Sequence, residues 1–470
     1  MRIQQYYLGC LAHASYLIFD EKSKTAVVVD PQRDIDHYVE DAEELGVSID
    51  HVFLTHFHAD FLAGHIELRE RYGAQLYIGA EGNAEFDHLP VADGDTFEWG
   101  DLRIQVLETP GHTPESISLV VYDLAKDSSA PDAVLTGDCL FIGDVGRPDL
   151  LGSIGFKDTD LAAMLYDSLH EKLMKLPDAT KVYPAHGAGS LCGKNLSTDT
   201  VSTIGEQRRS NYALQPMSKE EFVAMITKDQ PHAPGYFVHD AILNRKERPT
   251  LDETLAKALV PVSIERLIDL QSRGEVQVLD VRDAEEFGAQ HIAGSFNVAL
   301  DGKYATWTGT LLDRERPIVI VGNPGEENEA AMRLGRIGFD HIEGYLEGGV
   351  NAGESQPEMM RSTPRVEAEE LAAWMKSGDV VVVDVRNERE WETTHIEGTR
   401  NVPLHAIRER ATELPRNRRL VLSCRTGYRS MAAAAVLEQE GFVDLVDLRG
   451  GIVEWQERGL PVVATACSGA

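Results

Sequence analysis

The chain has 470 residues, 77 acidic against 45 basic side chains and a formal net charge of -32. It is too long for one core, so several domains are expected, and its charge argues against nucleic acid or an anionic membrane surface as partner. Five cysteines, widely spaced and without a CxxC pair, exclude a disulfide framework and fit a reducing, cytoplasmic setting.

Met1-Arg2-Ile3-Gln4-Gln5 leads almost directly into strand-like sequence, with no signal-like segment, and no apolar run is long enough to span a bilayer. Residues 14–19 and 24–30 read as two strands joined by the polar turn Glu21-Lys22-Ser23. Residues 34–45 have helical spacing, with Tyr38, Ala42 and Leu45 on one face. The apolar run Val52-Phe53-Leu54 reads as a buried strand and opens onto His56-Phe57-His58-Ala59-Asp60-Phe61. A helix over 63–72 and strands over 75–78 and 103–108 lead to Thr109-Pro110-Gly111-His112-Thr113, a histidine in a Pro/Gly turn. A strand over 116–122 precedes Leu135-Thr136-Gly137-Asp138, and Val182-Tyr183-Pro184-Ala185-His186-Gly187 follows. A lone HxH pair is a weak signal. The ordered set HxHxD, GH, GD and AHG, each at a strand end, points to a metal site. Imidazole with carboxylate suits Zn, Fe or Mn, and strand-end loops let a rigid sheet aim groups from separate segments. Residues 220–228 read as a helix. Residues 244–251, charged and containing Pro249, lead toward a linker, with a first boundary near 250–260.

This set resembles the metallo-β-lactamase superfamily over roughly residues 1–250. The fold class expected there is α/β: an αββα sandwich of two mixed sheets with helices outside. The two-zinc hydrolases of that family carry HxHxDH, and here Phe61 stands where the last histidine would ligate. The remainder is similar to the persulfide dioxygenase branch, which holds one ferrous iron with two histidines and one aspartate. Carried over by motif, the ligands are His56, His112 and Asp138, with one Fe(II) per chain. His58, Asp60 and His186 would orient ligands and substrate. The resemblance implies that Arg147, Tyr183 and Thr113 contact the thiol portion of the substrate, typically glutathione; a surface pair of Arg147 with Asp144 or Asp149 is the plainer alternative. It continues through Gly143-Asp144-Val145-Gly146-Arg147-Pro148-Asp149 and residues 201–208. The implied reaction oxidises a low-molecular-weight thiol persulfide with O2 to sulfite and thiol.

Beyond the boundary lies a repeat. Val278-Leu279-Asp280-Val281-Arg282 recurs as Val382-Val383-Asp384-Val385-Arg386, and His291-Ile292-Ala293-Gly294 with Asn297 recurs as His395-Ile396-Glu397-Gly398 with Asn401. Gly348-Gly349-Val350 matches Gly450-Gly451-Ile452. Each copy alternates strand-like and helical runs, which implies two α/β domains with parallel sheets. Domains are expected at 1–255, 256–358 and 359–470.

In the second copy, Leu420-Val421-Leu422 leads to Ser423-Cys424-Arg425-Thr426-Gly427-Tyr428-Arg429-Ser430 and then an Ala-rich helix. A cysteine between strand end and helix start faces backbone N–H groups and the helix dipole. Arg425 and Arg429 add positive charge, and both effects favour thiolate. This copy resembles the rhodanese family, and the six-residue loop from Cys424 to Arg429 has the length of its sulfurtransferases. The implied role of Cys424 is to carry a sulfane sulfur, giving or using thiosulfate. In the first copy Gly322 stands for the cysteine and Glu327 for the final Arg, so that domain is expected to be structural or to form subunit contacts.

Cys10 is expected to pack near a strand, Cys139 to turn away from the metal, and Cys467 to lie in a tail. Cys192 follows the His186 loop, and its role stays open. Expected partners are thiol persulfide, O2 and sulfite or thiosulfate, in a homo-oligomer, dimer or tetramer. One competing reading is a two-metal zinc thioester hydrolase of the glyoxalase II kind. It would use His56, His58, His112 and Asp138 for one ion, and Asp60, His186 and shared Asp138 for the other. Another is a non-catalytic persulfide sensor.

Overall fold

The computed structural model describes residues 1–152, 155–230 and 233–465; Cys467 lies outside the described residues. It divides into two compact units, Met1–Glu253 with Gly335–Gly338, and Thr254–Leu334 with Phe339 onward. None of its helices, among the described residues, is long and apolar enough to cross a membrane.

The first unit is an αββα sandwich. Its first sheet runs in chain order through β1 (Arg2–Leu8), β2 (His13–Asp20), β3 (Thr25–Val29), β4 (Ser48–Phe53), β5 (Gln75–Gly79) and β6 (Leu89–Val91). The second contains β7 (Thr96–Trp99), β8 (Leu102–Glu108), β9 (Ile117–Asp123), β10 (Ala133–Gly137), β11 (Lys181–Pro184) and β12 (Ser202–Thr203), also in order. Side chains alternate along a strand. Tyr16 and Ile18, Val27 and Val29, Ile104 and Val106, and Leu119 and Val121 therefore meet between the sheets. The other face of the second sheet, with Val120, Val134 and Val182, packs under Leu165 of helix Asp158–Asp167 and Phe222 and Ile226 of helix Lys219–Thr227. Strands buried on both faces account for the nearly unbroken apolar runs. Helices Asp36–Leu45 and His65–Tyr72 lie against β4.

This arrangement aims the histidine loops. β10 and β11 are parallel, with Gly137 opposite Pro184, so Asp138 and His186 leave the same sheet edge side by side. The stretch 244–251 is packed at its start. Asn244 is fully buried, Arg248 nearly so, and a helix begins at Leu251.

The second unit holds both copies. β13 (Pro261–Val262), β14 (Gln277–Asp280), β15 (His291–Ile292), β16 (Ser295–Asn297), β17 (Ile318–Val321), β18 (Ile342–Leu346) and β19 (Met360–Arg361) belong to the first. There β13-β18-β17-β14-β16 form one parallel sheet, and β15 pairs with β19. β20 (Arg365–Val366), β21 (Val380–Asp384), β22 (Arg400–Asn401), β23 (Arg419–Ser423) and β24 (Leu445–Leu448) form the second sheet, with the same topology, β20-β24-β23-β21-β22, all parallel.

Candidate metal centre and sulfur-transfer loop

His56, His112 and Asp138 are buried, and each offers one ligand atom within 4.8 Å of the others. His56 Nε2 lies 3.8 Å and His112 Nε2 3.4 Å from Asp138 Oδ2, while His186 Nε2 lies 3.7 Å from Asp138 Oδ1. In each ring the other nitrogen is held. His56 Nδ1 meets Thr55 Oγ1 at 3.0 Å, His112 Nδ1 meets the Arg147 carbonyl at 2.8 Å, and His186 Nδ1 meets the Ala12 carbonyl at 3.2 Å. A carbonyl accepts only from N–H, which fixes the tautomer of His112 and His186 and leaves Nε2 as a free lone pair. Thr55 Oγ1 donates to Asp30 Oδ2 at 2.8 Å, so its lone pair faces His56 Nδ1–H. Burial, then the neighbouring His58 and His112, holds His56 well below the ordinary histidine range, in the neutral form a metal requires.

The donor set fits a cation by a second test. Both Asp138 oxygens, Asp60 Oδ1 and His186 Nε2 are buried without a hydrogen-bond partner. Leaving such groups unpaired is costly; a metal held by His56, His112 and Asp138 would satisfy the Asp138 carboxylate, while Asp60 Oδ1 and His186 Nε2 lie 3.6 Å from each other beside it. His58, Asp60 and His186 form a neighbouring donor group. Burial, more than the charges around it, raises the Asp60 carboxyl. His58 Nε2 lies 3.1 Å from Asp30 Oδ1. Burial alone would lower His58, but Asp30 and the nearby aspartates outweigh it and raise it. The Phe61 ring packs against His58 at 4.4 Å and His13 at 4.0 Å between centroids.

Of the residues assigned to substrate, Arg147 is nearly buried and pairs with Asp149 through Nε and Nη2, both at 2.7 Å. Its Nη1 donates to the Leu191 carbonyl, and its own carbonyl orients His112. Thr113 Oγ1 lies 2.7 Å from Ser116 Oγ. The Tyr183 ring sits edge-on to Tyr16 at 5.4 Å. Cys192 is buried, with Sγ in one donor group with Asp138 and His186. Burial, then Asp60 and Asp138, raises its thiol well above the ordinary range. Cys139 packs among Val120, Leu140 and Leu165 on the outer face of the second sheet, and burial raises its thiol to about 12. Cys10 is exposed rather than packed.

Several supports carry no motif. Asn244 Nδ2 donates to the carbonyls of His58 and Phe61, both at 2.8 Å, and its Oδ1 accepts from Ala63 N. Asp30 also accepts from Thr55 N, and Glu115 from Phe57 N. One amide and two carboxylates thus satisfy the backbone of the histidine loop. His13, fully buried with neither ring nitrogen bonded, lies against Phe61, His58 and His186.

In the second unit Cys424 follows β23 and is fully buried. Its Sγ accepts from Gly427 N at 3.1 Å and from Ser430 Oγ at 3.4 Å. Gly427 has φ +101°, which turns its N–H toward the sulfur and starts helix Tyr428–Gln439. Arg425 is exposed. Arg429 pairs with Glu390 at 2.7 and 2.9 Å.

The family model described as Metallo-beta-lactamase superfamily matches residues 8–186, and the Rhodanese-like domain model matches residues 263–356 and 367–458. Persulfide dioxygenase ETHE1, mitochondrial, of Mus musculus is 33% identical over 216 residues, 45% of this chain and 75% of that protein. Its Bos taurus counterpart is 34% identical over 220 residues, 46% of this chain and 76% of that protein. A crystal structure of a metallo-beta-lactamase from Staphylococcus aureus subsp. aureus COL is 30% identical. It matches with a TM-score of 0.66 over 73% of this chain and 98% of that one.

Proposed function

Because the chain belongs to the metallo-β-lactamase superfamily and carries two rhodanese-like domains, we propose that it is a one-iron persulfide dioxygenase coupled to sulfur transfer at Cys424. The observation that carries the reading is the donor set His56, His112 and Asp138, beside which Phe61 fills the position of a further ligating histidine. Likeness to persulfide dioxygenases, together with the rhodanese-like domains, supports a role in sulfur metabolism.

His56, His112 and Asp138 would hold the Fe(II), a donor set of imidazole and carboxylate that suits it. Bound Fe(II) would supply the electronic route by which ground-state oxygen reacts with a persulfide. The residues around it orient and desolvate. The Asp30–Thr55 pair aims His56, and the Arg147 carbonyl aims His112. The substrate is a low-molecular-weight thiol persulfide such as glutathione persulfide. With O2 and water, RSSH gives RSH, sulfite and two protons. At Cys424 the thiolate attacks the sulfane sulfur of thiosulfate, a new S–S bond forms, and sulfite leaves with the electron pair. In reverse, sulfite takes the outer sulfur of the Cys424 persulfide and releases the thiolate.

Oxygen uptake by anaerobically purified, metal-quantified protein given glutathione persulfide tests this. Uptake should track one iron per chain and fall at least about 10³-fold in His112→Ala, which removes a ligand. The donor group His58, Asp60 and His186 favours one alternative, a dinuclear zinc thioesterase. Two zinc ions per chain, no oxygen uptake and hydrolysis of a glutathione thioester would put that reading in its place.

A further inference from the structure

Two separate elements of the second unit set the surroundings of Cys424. Its own backbone is tied within its copy. The Cys424 carbonyl accepts from Ile452 N at 2.9 Å and the Arg425 carbonyl from Val453 N at 3.2 Å, both in the first turn of helix Gly451–Glu457. The groups that face the sulfur come instead from the start of helix Tyr428–Gln439: Gly427 N at 3.1 Å and Ser430 Oγ at 3.4 Å. A shift of that helix therefore moves both donors against a sulfur whose backbone is anchored elsewhere.

One face of the same helix lies on the first copy. Tyr428, Met431 and Glu438 share that face by helical spacing. Tyr428 donates its hydroxyl to the Ala299 carbonyl at 2.9 Å. Glu438 Oε2 meets His291 Nε2 at 3.0 Å, and its Oε1 accepts from Gly294 N at 3.2 Å. The approach is close because glycines allow it. A Cβ on Gly302 would stand 3.1 Å from the Tyr428 ring, and one on Gly288 would stand 3.0 Å from Met431 Cε. Beside the helix, Arg365 Nη1 donates to Glu285 Oε2 of the first copy at 2.8 Å. Of these contacts the one nearest the sulfur is made by Tyr428, whose neighbour in the chain is Gly427.

We propose that the copy without a cysteine is a working part of the sulfur-transfer site: through Tyr428 it sets the helix start that aims Gly427 N–H and Ser430 at Cys424 Sγ. Gly427 N–H and Ser430 touch the reacting sulfur, and Tyr428 is a positioning residue that acts through them. When an acceptor takes the outer sulfur of the Cys424 persulfide, the electron pair of the breaking S–S bond returns to Sγ. Donors already aimed at Sγ stabilise that charge as it develops, without reorganising. Donors set wrongly slow the transfer step and leave the binding of the sulfur donor as it was. The proposal rests on the sulfur-transfer reading of Cys424.

The test uses the full chain and follows sulfur transfer from thiosulfate to cyanide, with rates counted per folded chain. Tyr428→Phe keeps the ring and deletes the bond to Ala299. It should lower kcat by about five-fold, the rate equivalent of one ordinary hydrogen bond, with the thiosulfate KM within about two-fold of wild type. Gly302→Ala presses on the same ring from the first copy and should lower kcat in the same way; Tyr428→Phe carries the test if Gly302→Ala does not fold. Amide hydrogen exchange over residues 427–431 should quicken in Tyr428→Phe. An unchanged kcat in Tyr428→Phe, even with a lower urea midpoint, would reduce the contact to packing and overturn the proposal alone. A loss confined to KM would overturn it too, since Tyr428 would then serve binding. No transfer in the wild-type chain would overturn the transfer reading and the proposal with it.

Discussion

The two rhodanese-like copies share a scaffold and part most sharply at the cysteine loop. In both, an arginine two residues after the strand aspartate pairs with it: Arg282 with Asp280, and Arg386 with Asp384. Each arginine also donates to a carbonyl eight residues on, Gln290 or Thr394. Asn297 Nδ2 donates to the carbonyls of Asp280 and Arg282, and Asn401 Nδ2 to those of Asp384 and Arg386. His291 stacks on Phe287 and His395 on Trp391, each with Nδ1 on the carbonyl four residues back. The repeated motifs thus make the same fold-holding contacts in both copies. At the loop, Gly427 N–H points at Cys424 Sγ. In the first copy the corresponding amides are occupied from within. Asn323 N donates to Glu326 Oε2 and Gly325 N to Glu327 Oε2, both at 2.8 Å. Two carboxylates stand where an anionic sulfur would bind.

The largest effect that could break this contrast is at Cys424. Cys424→Ser should abolish sulfur transfer from thiosulfate to cyanide, a loss of at least about 10³-fold, with folding intact. Residual transfer above that level would mean that a second thiol serves the reaction.

A smaller effect tests the shared scaffold. Asp280→Asn and Asp384→Asn each leave an arginine buried without its counter-charge, which costs about 3 kcal/mol. Both should lower the urea midpoint by similar amounts. A loss confined to Asp384→Asn would give that pair a role beyond the fold.

The first copy has a partner as well as a plugged loop. Tyr428, next to the cysteine loop, donates its hydroxyl to the Ala299 carbonyl, and Glu438 meets His291 and Gly294 N across the same boundary. The helix that begins at the cysteine loop is therefore braced by the copy that lacks the cysteine.

Local signals explain which parts were legible in the sequence. The HxHxD loop, the GH and GD turns and the cysteine loop are short runs at strand ends, where residue type and spacing suffice. The two copies were legible because their motifs repeat in order. Asn244 was not, because it closes carbonyls more than 180 residues away and sits in a charged stretch that reads as a linker. Asp30 ends a strand and looks like turn punctuation, although it holds Thr55 and faces His58. Arg365 and Asp447 come together only when the sheet forms, so no spacing announces them.

The smallest expected effect is an absence of gain. In a Cys424→Ser background, Gly322→Cys should restore no sulfur transfer, staying within about two-fold of that background, because a thiol alone does not make the site. A Cβ at residue 322 would stand 3.2 Å from Glu326 Oε2 and 3.0 Å from Val281 Cγ2, so the new sulfur would meet a carboxylate rather than N–H donors. A negative neighbour disfavours the thiolate. Adding Glu326→Ala and Glu327→Arg frees the amides of Asn323 and Gly325 and reverses the local charge. If transfer returns only with those two changes, the internal carboxylates keep the first copy silent. If Gly322→Cys alone restores it, the missing sulfur atom is the whole difference between the two copies.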